Sequence, residues 1–327
     1  MRTFLIDTDT ASDDAVAILM ALAAPEVKVA ALTTVAGNVS LEQATTNALI
    51  TAEIAGADVP VYKGARAPLC RVHRHAHWFH GHDGLSDRGF AAPERAAESE
   101  GAIAALLRLA RANPGCTLVT LGPLTNVALA LAEDESFAEH IGRCVVMGGA
   151  PCCEGNVTPA AEYNIWVDPE AARAVFRSKL PLEMVGWHVS RGASVLSEAE
   201  IAEILALDTA KARFAIECNT RAKAAYFVQT GEPGLSLADP TAMAVALDRS
   251  IGLAWSRHLV EIETQSELTR GMTIVDRLNV AHDENNALSW RDALASQQTA
   301  DVCWTFDSAR FKLMLQAALA APPTPSS

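Results

Sequence analysis

Residues 3–15 read Thr3-Phe-Leu-Ile-Asp7-Thr-Asp9-Thr-Ala-Ser-Asp13-Asp14-Ala15, and the parsing of that stretch decides the fold. Its first half is apolar and β-prone, so Thr3–Asp7 reads as a buried strand. Asp13–Ala23 follows as a helix rich in Ala, Leu and Ile, with Ser12 placed as its cap. Working outward, the strand–helix unit recurs. Val29–Val35 is a second strand, and Leu41–Ala55 is a helix bounded by Gly56. Short strands at Val59–Tyr62, Thr117–Leu121, Arg143–Met147 and Leu182–Gly186 alternate with helical stretches at Gly101–Ala112, Leu124–Ala132 and from Pro169 onward. Such alternation predicts an α/β fold, a mostly parallel open central sheet flanked by helices. Ser197–Val228 and Asp239–Leu247 read as further helices, and Val260–Glu263 with Met272–Val275 as a hairpin. No internal repeat or linker interrupts the pattern. One domain is therefore expected over residues 1–320, with residues 321–327, Ala321-Pro-Pro-Thr-Pro-Ser-Ser327, as a disordered tail.

Composition narrows the function. Half of the 327 residues are hydrophobic and 20% are charged, which excludes a disordered chain or a disulfide scaffold. Lys and Arg number 26 against 39 Asp and Glu, a net charge of −13. That surplus repels phosphate backbones and anionic lipid, so neither nucleic acid nor membrane is an expected partner. A cationic ligand, or a neutral one held through a metal, is easier to accommodate. Seven cysteines without a CxxC spacing read as reduced thiols of a cytoplasmic protein, and the adjacent Cys152-Cys153 as structural. The N-terminus has no signal-peptide pattern. The longest uncharged apolar run, Ala15–Ala24, falls short of the ~20 residues that span a bilayer.

Ligands of an open parallel sheet bind beyond the carboxyl ends of its strands. Asp7, Asp9, Asp13 and Asp14 crowd that position after the first strand. Four carboxylates so close repel one another unless a cation sits among them, and hard divalent cations take such oxygen ligands. Two long irregular stretches, Lys63–Glu98 and Ala150–Asp168, interrupt the regular pattern, as functional loops do.

The Asp7-x-Asp9-x-Thr spacing resembles that of the haloacid-dehalogenase phosphatases, whose first Asp attacks phosphate with the help of Mg²⁺. That alternative leaves Asp13-Asp14 unused, and no convincing downstream lysine and acidic pair complete it. A fuller resemblance runs nearly end to end. Asp7-x-Asp9-x-x-x-Asp13-Asp14-Ala15, Thr34-Val-Ala-Gly37-Asn38-Val39, Gly122-Pro-Leu-Thr125-Asn126, Met147-Gly-Gly149 with Glu154-Gly-Asn156 and Ala161-Glu162-Tyr-Asn164, Asp239-Pro240 and Leu268–Thr273 are together similar to the inosine–uridine nucleoside hydrolase family. The resemblance implies hydrolysis of the N-glycosidic bond of a small-molecule ribonucleoside to ribose and free base. It implies Ca²⁺ held by Asp9, Asp14, Asp239 and the backbone carbonyl of Leu121, with Asp9 as base on a calcium-held water. Asp13 matches the partner of the 2′-hydroxyl and Asn164 that of the 3′-hydroxyl. Asn156 and Glu162 match the 5′-hydroxyl contacts, and Asn38 lies in the same ribose shell. It further implies a homodimer or homotetramer. A non-catalytic nucleoside-binding relative is the remaining alternative.

One position departs from the family pattern. Many members carry a His just before the metal-binding Asp, as the acid that protonates the leaving base, and here Ala238 stands there. Five of the nine histidines fall between His73 and His82, and His80-Gly-His82-Asp-Gly84 resembles the family's loop beside the base. His80 and His82 are therefore candidate substitute acids. Tyr226 is a further catalytic candidate, and Trp78 is placed to stack on the base.

Overall fold

The computed structural model describes residues 1–321. Among these residues ten strands form: β1 (Arg2–Thr8), β2 (Val27–Thr34), β3 (Val61–Lys63), β4 (Cys116–Thr120), β5 (Ile141–Met147), β6 (Leu182–Val185), β7 (Gly252–His258), β8 (Val260–Ile262), β9 (Thr273–Val275) and β10 (Ala300–Phe306). Eight make one sheet in the order β3-β2-β1-β4-β5-β6-β10-β7. Every pair in it is parallel except β10 with β7. β8 and β9 form the expected hairpin apart from it.

Side chains alternate across each strand, and that alternation builds two cores. Phe4 and Ile6 of β1, with Val119, Val145 and Val185, meet the helices Ser12–Ala23 and Ala238–Leu247. Leu5, with Leu118, Val146 and Met184, meets the helices Ala102–Ala112, Thr125–Glu133 and Pro169–Phe176 on the opposite face. A sheet covered by helices on both sides explains why its strands read as continuous apolar runs. From Asp239 to Leu247 every residue of the helix Ala238–Leu247 is buried, which suits its lack of a polar face.

The chain steps outward in opposite directions from β1, through β2 on one side and β4 on the other. This topological switch point opens a crevice at the strands' carboxyl ends. The segments following β1, β2, β4, β5 and β6 all emerge there.

Three departures from the sequence reading have local causes. Ser12 is the first residue of its helix, not the cap. Ala11 holds the cap position, and its N–H is taken by the Asp14 carboxylate at 2.9 Å. The stretch 197–228 breaks into the helices Glu198–Leu205, Ala210–Glu217 and Thr220–Thr230, because the residues between them leave helical geometry, Asp208 at a φ of 53°. The antiparallel pair β7 and β10 and the closing helix Ser308–Ala320 were not anticipated. The expected tail at 321–327 lies, beyond Ala321, outside the described residues. Among the described residues no helix is long and apolar enough to cross a membrane, and all seven cysteines are free.

Candidate active site

A cleft opens at the switch point, lined by polar, acidic and aromatic side chains, the mixture that small-molecule sites carry. Two helix N-termini supply its acidic floor. Asp13 and Asp14 begin Ser12–Ala23, and Asp239 lies in the first turn of Ala238–Leu247. One carboxylate oxygen from each comes within 4.8 Å of the others. Both helix dipoles favour negative charge at this point. Asp9 adjoins the group, its Oδ2 accepting the Asn38 N–H at 2.5 Å. Gly37 and Gly122 make room for that carboxylate, since a Cβ on either would sit 2.0 Å from Asp9 Oδ2 or 2.7 Å from Asp9 Oδ1.

Burial first, and repulsion from Asp14 second, hold Asp9 and Asp239 well above the usual carboxylate range. Asp14 is pushed up to about 6 by burial and by Asp13. The Asp14 carboxylate accepts from Thr8 Oγ1 at 2.5 Å. Asp9 Oδ1 and Asp239 Oδ1 are buried and have no hydrogen-bond partner. Unpaired buried carboxylate oxygens are costly, and a hard cation that accepts oxygen ligands would satisfy them. The donor set thus fits the ion that the resemblance implies. Leu121 lines the cleft, and its carbonyl accepts Asn164 Nδ2 at 2.8 Å, with a second lone pair to spare.

Asp7 does not belong to this group functionally. It is fully buried and absent from the cleft lining, and its Oδ1 accepts from Thr33 Oγ1 at 2.5 Å and Asn126 Nδ2 at 2.7 Å. Burial raises it to about 7. Asp9 and Asp14 are equally buried and are also absent from the cleft lining, so what sets Asp7 apart is that its Oδ1 is held by Thr33 and Asn126, away from the acidic group.

The polar wall carries Asn38, Asn156, Glu162 and Asn164, all of which line the cleft. Glu162 also caps the short helix Tyr163–Val167, accepting backbone N–H groups of Asn164, Gly149 and Ile165. Burial nonetheless raises it to about 7. Asn156 Oδ1 accepts the Tyr163 N–H at 2.9 Å. Asn164 commits its amide nitrogen to Leu121 and Met147, so its carbonyl oxygen is the group left for a ligand.

The opposite wall comes from the short helix His77–His80. Trp78, half exposed, stands at the mouth, and Phe79 lines the cleft beside it. His80 is buried, lines the cleft, and places Nδ1 2.8 Å from Ser12 Oγ and 3.9 Å from Asp13 Oδ1. Burial lowers its pKa, against the pull of Asp13.

Two catalytic candidates are not brought to the cleft. His82 is exposed, its N–H bound to Asp87 Oδ1 and its ring packed 5.0 Å from that of His77. The intervening Gly81, at a φ of 93°, turns the chain away. Tyr226 is buried behind the wall, its hydroxyl bonded to Glu232 and its ring edge-on to Trp187. Burial pushes that hydroxyl up to about 12. His73, His75 and His77 form a surface row with His82, and among the described residues only the three aspartates group as metal ligands. Phe79, Tyr163, Trp187, Ser236 and Gln229 also line the cleft, and none of them is among the candidates drawn from the sequence. Ser236 and Trp187 flank a helix start and a strand end, a detectable signal. Gln229 lies on an exposed helix face and gave none.

Residues 4–312 match the family described as inosine-uridine preferring nucleoside hydrolase, and the chain belongs to that family. It is 36% identical over 316 residues to uridine nucleosidase 1 of Arabidopsis thaliana, covering 95% of this chain and 92% of the relative. It is 38% identical over 296 residues to the pyrimidine-specific ribonucleoside hydrolase RihA of Shewanella sp. (strain MR-4), covering 88% and 90%. Among solved structures, a plant nucleoside hydrolase, PpNRh1, superposes with a TM-score of 0.90 at 32% identity, covering 98% of this chain and 99% of that one.

Proposed function

We propose that this protein hydrolyses the N-glycosidic bond of ribonucleosides, releasing ribose and free base. One observation carries the reading. Buried acids with unpaired oxygens adjoin a small-molecule cleft whose wall is made of amides and a carboxylate. Glycosidic cleavage passes through an oxocarbenium-like sugar cation, which dense negative charge stabilises. Amide and carboxylate oxygens are also suited to accept from sugar hydroxyls.

Asp9, Asp14, Asp239 and the Leu121 carbonyl would hold a Ca²⁺ ion. Such an ion, when bound, lowers the pKa of water and of neighbouring hydroxyls. Asp9 Oδ1 is the basic oxygen that takes the proton of the attacking water. Asp13 accepts from the 2′-hydroxyl and Asn164 Oδ1 from the 3′-hydroxyl. Asn156 and Glu162 hold the 5′-hydroxyl, and Asn38 closes the ribose shell. Trp78 and Phe79 cover the base, and His80 donates a proton to it in place of the residue that Ala238 lacks. Residues 1–320 act as one domain, which strands from both ends of the chain in one sheet support. The resemblance supports a homodimer or homotetramer, and the free thiols support a cytoplasmic location.

Product analysis against ribonucleosides, 2′-deoxyribonucleosides and phosphate esters, with and without chelator, tests this. Free base from ribonucleosides alone, lost on removing calcium, is expected. Phosphate release without base release would overturn it.

A further inference from the structure

The hydroxyl of Ser12 has no capping duty, since Asp14 takes the Ala11 N–H. It is fully buried, and its partner is His80 Nδ1 at 2.8 Å. Asp13 Oδ1 lies 3.9 Å from the same nitrogen, beyond hydrogen-bond reach. If Nδ1 carried the proton, the Ser12 hydroxyl would accept it and its own hydrogen would be buried without an acceptor. Orphaned buried donors are costly. If the hydroxyl donates to Nδ1, both groups are satisfied, and a neutral imidazole then carries its proton on Nε2.

Hydrogen bonds hold the backbone of both partners. The Ser12 carbonyl accepts Asn219 Nδ2 at 3.0 Å and the Cys218 thiol at 3.5 Å. The His80 N–H donates to Ala76 O, and its carbonyl accepts the Ser86 N–H at 2.8 Å. With Nδ1 engaged on the buried side, Nε2 is the nitrogen left for the cleft that His80 lines.

We propose that Ser12 is a positioning residue that donates its hydroxyl hydrogen to His80 Nδ1 and so presents an Nε2–H donor to the leaving base. This rests on the reading of His80 as the group that serves the base. A base acceptor needs a donor as the glycosidic electrons move onto the ring. The Nδ1–H tautomer would offer it a lone pair instead.

The test uses the calcium-loaded full chain with ¹⁵N-labelled histidine, the His80 signals being assigned by their loss in His80→Ala. The expected spectrum shows Nε2 protonated and Nδ1 bare. Ser12→Ala should redistribute the proton and lower kcat by about 3- to 10-fold on the better of uridine and inosine, the effect of one hydrogen bond. Its KM, and its rate on nitrophenyl riboside, whose leaving group needs no proton, should hold. Ser12→Thr, which keeps the hydroxyl, should restore the tautomer. A protonated Nδ1 in the unsubstituted protein overturns the role of Ser12, and the role of His80 is judged separately, by the rate of His80→Ala on natural nucleosides. A His80→Ala protein that cleaves nucleosides at full rate overturns the underlying reading, and the proposal with it.

Discussion

Replacing Asp14 with Asn should make the calcium-free protein more stable, although it removes an acid from the heart of the site. Asp14 is buried among like charges, and its pKa is raised from 3.8 to about 6. A raised acid favours the fold in its protonated form. Stability is thus full below about pH 4 and falls as pH climbs through 6. The rise corresponds to about 3 kcal/mol above pH 7, at 1.36 kcal/mol for each pH interval. An Asn side chain can keep the bonds to Ala11 and Thr8, its oxygen accepting the Ala11 N–H and its amide donating to Thr8 Oγ1, and that oxygen can also accept from a protonated Asp239. Urea unfolding in chelator should therefore show Asp14→Asn stabilised by up to about 3 kcal/mol at pH 8, the difference closing by pH 4. Saturating calcium should reverse the order. The unsubstituted protein gains about 4.1 kcal/mol at one thousand times its Kd, more than its deficit of about 3 kcal/mol, and a variant that has lost a carboxylate ligand gains far less. A variant less stable than its parent in chelator at pH 8, or a difference constant across pH, would refute the reasoning.

Asp13 is assigned to the 2′-hydroxyl, so 2′-deoxyribonucleosides should lose roughly 10- to 100-fold in kcat/KM, the cost of one hydrogen bond to a charged group. Equal rates on both sugars would remove Asp13 from that role. His80→Ala should slow natural nucleosides by about 10²–10⁴-fold while sparing nitrophenyl riboside. His82→Ala, altering a side chain outside the cleft, should leave both rates within twofold of the parent, about the scatter expected for a surface change. Gly37→Ala places a Cβ 2.0 Å from Asp9 Oδ2. Calorimetry should find calcium affinity much reduced with the far-ultraviolet spectrum unchanged, and undiminished affinity would show that Asp9 can move aside.

The opening strand and helix, and the acids between them, were legible because both properties are local. Buried runs and dense charge can be seen within a dozen residues. Tyr226 and His82 were misplaced for a different reason. Each has suitable chemistry, but its position depends on distant partners, Glu232 with Trp187 for one and Asp87 with His77 for the other. The role of Ser12 was hidden in the same way. A serine before a helical run reads as a cap, and only the fold shows that Asp14 has taken the task and that His80 lies across from the hydroxyl. Strands β7 and β10 escaped because an antiparallel pair at one end of the sheet lies between weakly patterned segments. Ala238 is the converse case, a local absence that directs attention to the histidine loop, whose His80 lines the cleft.

The acidic floor is assembled from opposite ends of the polypeptide: Asp13 and Asp14 near the beginning, Asp239 in the last third. During synthesis the first helix is complete long before its partner exists. A growing chain therefore exposes part of an ion site that it has no means of closing. An ion held by all three acids would therefore report that the helix Ala238–Leu247 has docked beside the first helix.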